Sequence, residues 1–221
     1  MSGDDGRVEE LSRPDRLDYD TLWAETTGLN IFEAVGYFEQ YLPHTCRDAY
    51  QTRTQRPAVL LRVRHNTFEY VFDHYTSLEA TGVVPYSPSE ESRLVVAFGR
   101  SAPKSVARDD GRLRGWLGPT ERVFGRNWDK GHYIAHSLGG AVEGFEANVF
   151  IQRRDLNRGW SSEGKRFRQM ERFCRINAGT FCFARPIYAD GTSRAAWLEY
   201  GLIRHNGELW VECFDNRSTD R

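Results

Sequence analysis

The stretch that most constrains the fold of this chain is its C-terminal end, residues 180–215. Two apolar, β-rich runs, "AAWLEYGLIR" and "LWVECFD", flank "HNGE". Asn206-Gly207 between such runs is a strong hairpin signal, because both residues tolerate the left-handed backbone of a tight turn. A third run, "TFCFARPIY", stands just upstream. Neighbouring strands closed by a hairpin commit this region to an antiparallel sheet.

The same signals recur earlier. "PAVLLRVRHNTFEYVFD" reads as a strand pair around "HNT", and "RLVVAFG" as a further strand. Residues 101–120 are polar and punctuated by Gly and Pro, a loop pattern. "ERVFG" reads as a short strand and "ANVFIQ" as a short apolar run. Between Tyr19 and Tyr41, apolar residues recur at helical spacing around "TTGLN", which predicts two short helices ending before Pro43. A second helical pattern follows Asn157, and "AGT" supplies its glycine stop. The expected fold is α+β, a central antiparallel sheet with flanking helices. The 221 residues suit one domain with a helical extension. Residues 1–18 read as an acidic flexible arm, 19–56 as an N-terminal helical segment, and 57–221 as the principal domain.

Net charge is −1, so the whole-chain balance names no partner, but its distribution is uneven. Residues 1–20 hold seven acids against three arginines, and residues 153–175 hold eight Lys/Arg against three acids. A basic block of this kind is either a solvated helix face or a phosphate-binding surface. No apolar run is long enough to cross a bilayer. The N-terminus is acidic and has no apolar segment of the secretory type. The expectation is therefore synthesis in a cytoplasm without membrane attachment, with signal-independent export left open. Cys46, Cys174, Cys182 and Cys213 lack C-x-x-C spacing and read as reduced, buried thiols.

"NWDKGHYIAHSLGG" carries His132 and His136, four apart. A catalytic zinc helix would need Glu directly after the first His, where Tyr133 stands. A phosphate loop would need glycines ahead of a Lys-Ser/Thr pair, and none follows Lys130. A single catalytic histidine fits better. Phosphodiester cleavage needs a base for the attacking water, and a free imidazole with a pKa of ~6.5 is suited to that task. It also needs a hard oxygen donor for a divalent cation and basic side chains for the developing charge. Residues 129–171 contain all three.

"DKGHYIAHSLGG", "EANVFIQRRDLNRGW" and "RQMER", in this order, resemble the DNA/RNA non-specific endonuclease family, a branch of the ββα-metal (His-Me finger) nucleases. Asn148 and Asn157 stand nine apart, as the family's two asparagines do, with Gln152 between them. The tail from Gly179 to Leu202 is similar to the strands that follow the active-site helix in toxin-like members. The resemblance spans about residues 120–215 and marks 57–221 as a ββα-metal nuclease domain.

The resemblance implies roles for single residues. His132 matches the general base. Asn157 matches the one direct protein ligand of the catalytic Mg²⁺, for which Mn²⁺ is the alternative. Asn148 matches an asparagine that supports metal-site geometry and substrate oxygens. Glu171, with Glu163 as the competing choice, matches a helix glutamate that contacts water on the metal. Asp129 holds the loop, and His136 is structural or second to the ligands. The family's arginine before Gly-His is Lys130 here, which keeps the charge but loses the bidentate fork. Arg100, Arg126 and Arg158 are candidates to take over its clamp, and Arg154 and Lys165 join Arg126 and Arg158 as phosphate contacts. Gly131 is read as letting the backbone bring the imidazole up to a phosphate.

The implied activity is Mg²⁺-dependent hydrolysis of DNA or RNA with little sequence preference. The alternative is a nucleic-acid-binding or regulatory protein on a weakened nuclease fold. The expected partners are DNA or RNA and, since a nuclease endangers its own cell, an inhibitor or regulatory protein.

Overall fold

A computed structural model describes residue 14 and residues 16–56, 59–74, 93–103, 122, 124–140 and 148–217. Most of the acidic arm and of the 101–120 loop lies outside the described residues. The elements run α1 (Tyr19–Ala24), α2 (Ile31–Thr54), β1 (Val59–His65), β2 (Phe68–His74), β3 (Leu94–Arg100), β4 (Trp128–His132), a 3-10 turn (His136–Leu138), β5 (Val149–Arg153), α3 (Arg154–Arg158), α4 (Ser162–Ile176), β6 (Phe181–Tyr188), β7 (Ala195–Ile203) and β8 (Leu209–Asp215). The protein is mixed α+β. Six strands form one antiparallel sheet in the order β1-β2-β3-β6-β7-β8, and β4 pairs with β5 in a separate antiparallel ribbon.

The two faces of the large sheet build two cores. Alternate side chains of a strand point to opposite faces. On β6, Phe181 and Phe183 join α2, whereas Cys182 and Ala184 face α4. On β7, Leu198, Tyr200 and Leu202 pack against Phe167, Met170 and Cys174 of α4. Both strands are therefore buried along their length, and their sequences are continuously apolar rather than alternating.

The β7–β8 hairpin turns through Asn206-Gly207, with Gly207 at φ +83°. The "HNT" turn joins β1 to β2, and Asn66 takes the left-handed conformation there. Two expectations need correction. Asn30 and Glu33 form a capping box that starts α2, but the helix does not end before Pro43; it runs through it to Thr54. Its inner face places Val35, Phe38, Leu42, Cys46 and Tyr50 in one apolar core. Each large side chain buried there contributes about 1.5–3 kcal/mol, which outweighs the roughly 3 kcal/mol cost of a mid-helix proline. In "ERVFG", the described residues Arg122 and Phe124 are helical rather than extended. Among the described residues, no helix is long and apolar enough to cross a membrane.

One charged pair lies in the core beneath α1. The Glu199 carboxylate, wholly buried, accepts from Arg185 Nη1, the Tyr19 hydroxyl and the Leu17 amide. It pins the segment leading into α1 to the centre of the sheet. Glu199→Ala would leave the Arg185 guanidinium buried without its carboxylate. That loss is expected to destabilise the fold by about 3–5 kcal/mol, read as a lower urea midpoint. An unchanged midpoint would contradict the pinning role.

Candidate functional site

β4 carries the motif on a strand, and period-2 geometry sorts its side chains. Lys130 and His132 are two apart and share a face. Tyr133 turns into the core, stacked on Phe150 at 4.3 Å between ring centroids. β4 pairs with β5 from Trp128↔Arg153 to His132↔Val149. β5 passes directly into α3, whose first amide, from Arg154, bonds the Asn127 carbonyl at 2.7 Å. Strand, strand and short helix therefore meet at one end of the ribbon, with α4 closing the other side.

Between them lies a cavity of about 230 Å³ lined by Lys130, His132, Ala135, His136, Ser137, Asn157, Arg168 and Glu171. Four residues expected at the site, His132, Lys130, Asn157 and Glu171, come together here. Arg168 and Ser137 also line it, and the sequence reading missed both. The signal for Arg168 was its i, i+3 spacing from Glu171, which places the two on one helix face.

Asp129 organises the cavity wall from behind. Its carboxylate accepts from Arg154 Nε (2.9 Å), Arg158 Nε (2.7 Å) and Nη2 (3.0 Å), and Asn157 Nδ2 (3.2 Å). Burial alone would raise the Asp129 pKa, but the hydrogen bonds from Arg158, Asn157 and Arg154 outweigh it and hold the carboxyl below its ordinary value. A carboxylate only accepts, so Asp129 fixes which end of the Asn157 amide faces it. The nitrogen is held, and the Oδ1 oxygen is left as the hard donor on a residue that lines the cavity.

Several expected roles change. Asn157 does not open the long helix; it is the fourth residue of α3, and Ser161 caps α4. Asn148 is fully buried and does not line the cavity. Its Oδ1 accepts from the Ile134 amide (2.9 Å), and its Nδ2 donates to the Ile134 carbonyl (2.8 Å). These bonds fix the backbone two residues beyond His132. Gly131 is required by a neighbour: a Cβ there would come within 2.1 Å of Gln152 Oε1 and 2.5 Å of Gln152 Cβ. His136 lines the cavity itself, and it does so from a 3-10 turn, not from a helix shared with His132.

The basic residues divide in the same way. Arg154 and Arg158, expected on phosphate, are engaged by Asp129. Arg126 is exposed on the turn before β4, Lys165 is exposed on α4, and Arg100 ends β3; none of the three lines the cavity. Glu163 pairs with Arg153 at 3.0 Å and lies elsewhere. Glu171 is 8 % exposed. Burial raises its pKa, and the Arg168 guanidinium at 2.9 Å works against that shift. Burial also lowers the Lys130 pKa.

The donor set suits a hard cation better than zinc. Among the described residues, no three His, Cys, Asp or Glu side chains are placed to hold a metal. The Asn157 amide oxygen, the Glu171 carboxylate and the Ser137 hydroxyl are hard oxygens on residues that line the cavity, and its volume leaves space for roughly seven waters at ~30 Å³ each. Magnesium keeps most of its waters and takes few protein oxygens.

Asp129→Asn would remove the charge that anchors two arginines, for an expected loss of about 1–3 kcal/mol at neutral pH. The lowered pKa makes this contribution complete above the ordinary value of 3.8 and lost as pH falls through the folded value. The gap in unfolding free energy between wild type and Asp129→Asn should therefore close in acid, measured by denaturation across pH 3–7. A gap that stays constant with pH would contradict the assignment.

A scan against protein-family models and a search of curated proteins each return no match, so the functional reading rests on the residues of the cavity themselves.

Proposed function

We propose that this chain is a divalent-metal-dependent phosphodiesterase that cuts DNA or RNA backbones with little sequence preference. In this reading β4, β5 and α3 are a ββα-metal motif, as in the DNA/RNA non-specific endonuclease family. The observation that carries it is the convergence of His132, Lys130, Asn157 and Glu171, from a strand and two helices, on one polar cavity. The Asn148-to-Asn157 spacing of nine supports the same reading.

His132 takes the proton of the attacking water, the role of a general base. Lys130 and Arg168 bear on the phosphate oxygens as negative charge grows there. Asn157 Oδ1 would hold Mg²⁺, with Glu171 beside it. The bound cation supplies Lewis-acid stabilisation of the phosphate and of the leaving oxygen. Asp129 holds the Asn157 amide nitrogen, so its oxygen is the atom that would be offered to a cation. Asn148 keeps the chain beyond His132 in place through Ile134. Contacts of this kind read phosphates, not base edges, so sequence preference is weak.

His132→Ala should lower cleavage of plasmid DNA, single-stranded DNA or RNA by about 10²–10⁴-fold with an unchanged melting temperature. Full activity in this variant would sink the assignment, as would wild-type cleavage that persists in excess EDTA. Glu171→Gln keeps the shape and removes the charge. It should raise the Mg²⁺ concentration needed for half-maximal cleavage, read from a metal titration.

A further inference from the structure

Beside the cavity lies a second feature, two of whose arginines the proposed chemistry leaves unused. A groove of about 390 Å³ runs beside it, lined by Ser137, Arg168, Glu171, Arg172 and Arg175. Ser137, Arg168 and Glu171 line both spaces, so the two are adjacent. The three arginines follow at i, i+4 and i+7, on one face of α4, over about 10 Å of helix axis at ~1.5 Å per residue. Glu171 pairs with Arg168, but among the described residues no carboxylate pairs with Arg172 or Arg175. Among the described residues the groove therefore holds two guanidiniums with no carboxylate partner, whereas Arg154 and Arg158 share that of Asp129.

Trp160, three residues past Asn157, is 62 % exposed. Arg158, held by Asp129, sets its guanidinium 5.1 Å from the Trp160 ring and braces the indole. Arg168 packs against Gly159: a Cβ on that glycine would lie 3.1 Å from Arg168 Cγ. The exposed indole thus follows the cavity residue Asn157 by three positions, and Arg168, which lines both cavity and groove, packs beside its chain neighbour Gly159. Cations along a groove with an exposed aromatic ring beside it suit an unpaired strand, whose phosphates meet the cations while a base stacks on the ring.

We propose that this face binds a single nucleic-acid strand across the His132 cavity, with successive phosphates in the Arg168–Arg172–Arg175 groove and a base beyond the cavity stacked on Trp160. The proposal rests on the phosphodiesterase reading of the cavity and adds a substrate class, unpaired DNA or RNA in preference to duplex. A duplex keeps its bases stacked inside and offers Trp160 no free ring face.

The test is fluorescence anisotropy of the full chain in EDTA, where binding is read without cleavage. The probes are a labelled single-stranded DNA, the RNA of the same sequence, and the DNA duplex. The single strands should bind more tightly than the duplex, and comparing DNA with RNA shows which sugar is preferred. Arg172→Gln with Arg175→Gln should weaken single-strand binding and reduce the log–log salt slope by about 1.4, at ~0.7 per phosphate contact. Trp160→Ala should weaken single-strand binding by about tenfold with the salt slope and duplex binding unchanged. Trp160→Phe should recover part of the loss. Three results would overturn the proposal: duplex bound as tightly as single strand, an unaltered slope in the arginine variant, or an unaltered affinity in Trp160→Ala. Wild type that binds in this pattern but cleaves nothing in Mg²⁺ or Mn²⁺ would remove the enzymatic reading and leave the strand surface standing. Cleavage that survives while the variants bind normally would do the reverse.

Discussion

Everything around β6 and β7 is arranged to cover two strands that have no solvent face. Their side chains are buried on both sides of the sheet, so each side needs its own layer. α2 supplies one, with an apolar face long enough to carry a proline in its interior. α4 and the β4–β5 ribbon supply the other. The functional cavity follows from this demand. α4 lies where Phe167, Met170 and Cys174 reach the sheet, and the same placement turns Arg168 and Glu171 toward His132.

Polar contacts fix the ribbon in addition to its apolar packing. Asn148 clamps the backbone at Ile134, and Gln152 fills the space that a side chain on residue 131 would occupy. Asp129 draws Arg154, Arg158 and Asn157 onto one carboxylate. The local density of cations is high, yet Arg154 and Arg158 share the Asp129 carboxylate, while among the described residues Arg172 and Arg175 have no carboxylate partner. Charge runs in a sequence do not separate these cases, because the distinction depends on which carboxylate each guanidinium reaches.

Much of the secondary structure was legible because it rests on local rules. The Asn206-Gly207 hairpin, the "HNT" turn and the three C-terminal strands follow from turn chemistry and apolar runs. The helix read through Pro43 was not legible, since burial against a sheet formed by distant residues decided it. Asn157 was read as a helix opener because asparagine favours that position; the break at Gly159, at φ +72°, moved the cap to Ser161.

The sequence by itself determined an antiparallel sheet at the C-terminal end and the residue types, spacing and order of a His–Asn–Asn motif. These are properties of neighbours along the chain, where backbone preference and side-chain period act. Only the tertiary structure decided that Glu171, and not Glu163, shares the cavity with His132. It also decided that Asn148 clamps Ile134, and that Arg154 and Arg158 pair with Asp129 while, among the described residues, no carboxylate pairs with Arg172 or Arg175. Each of these outcomes depends on contacts between separate elements, and sequence spacing carries no information about which groups meet there.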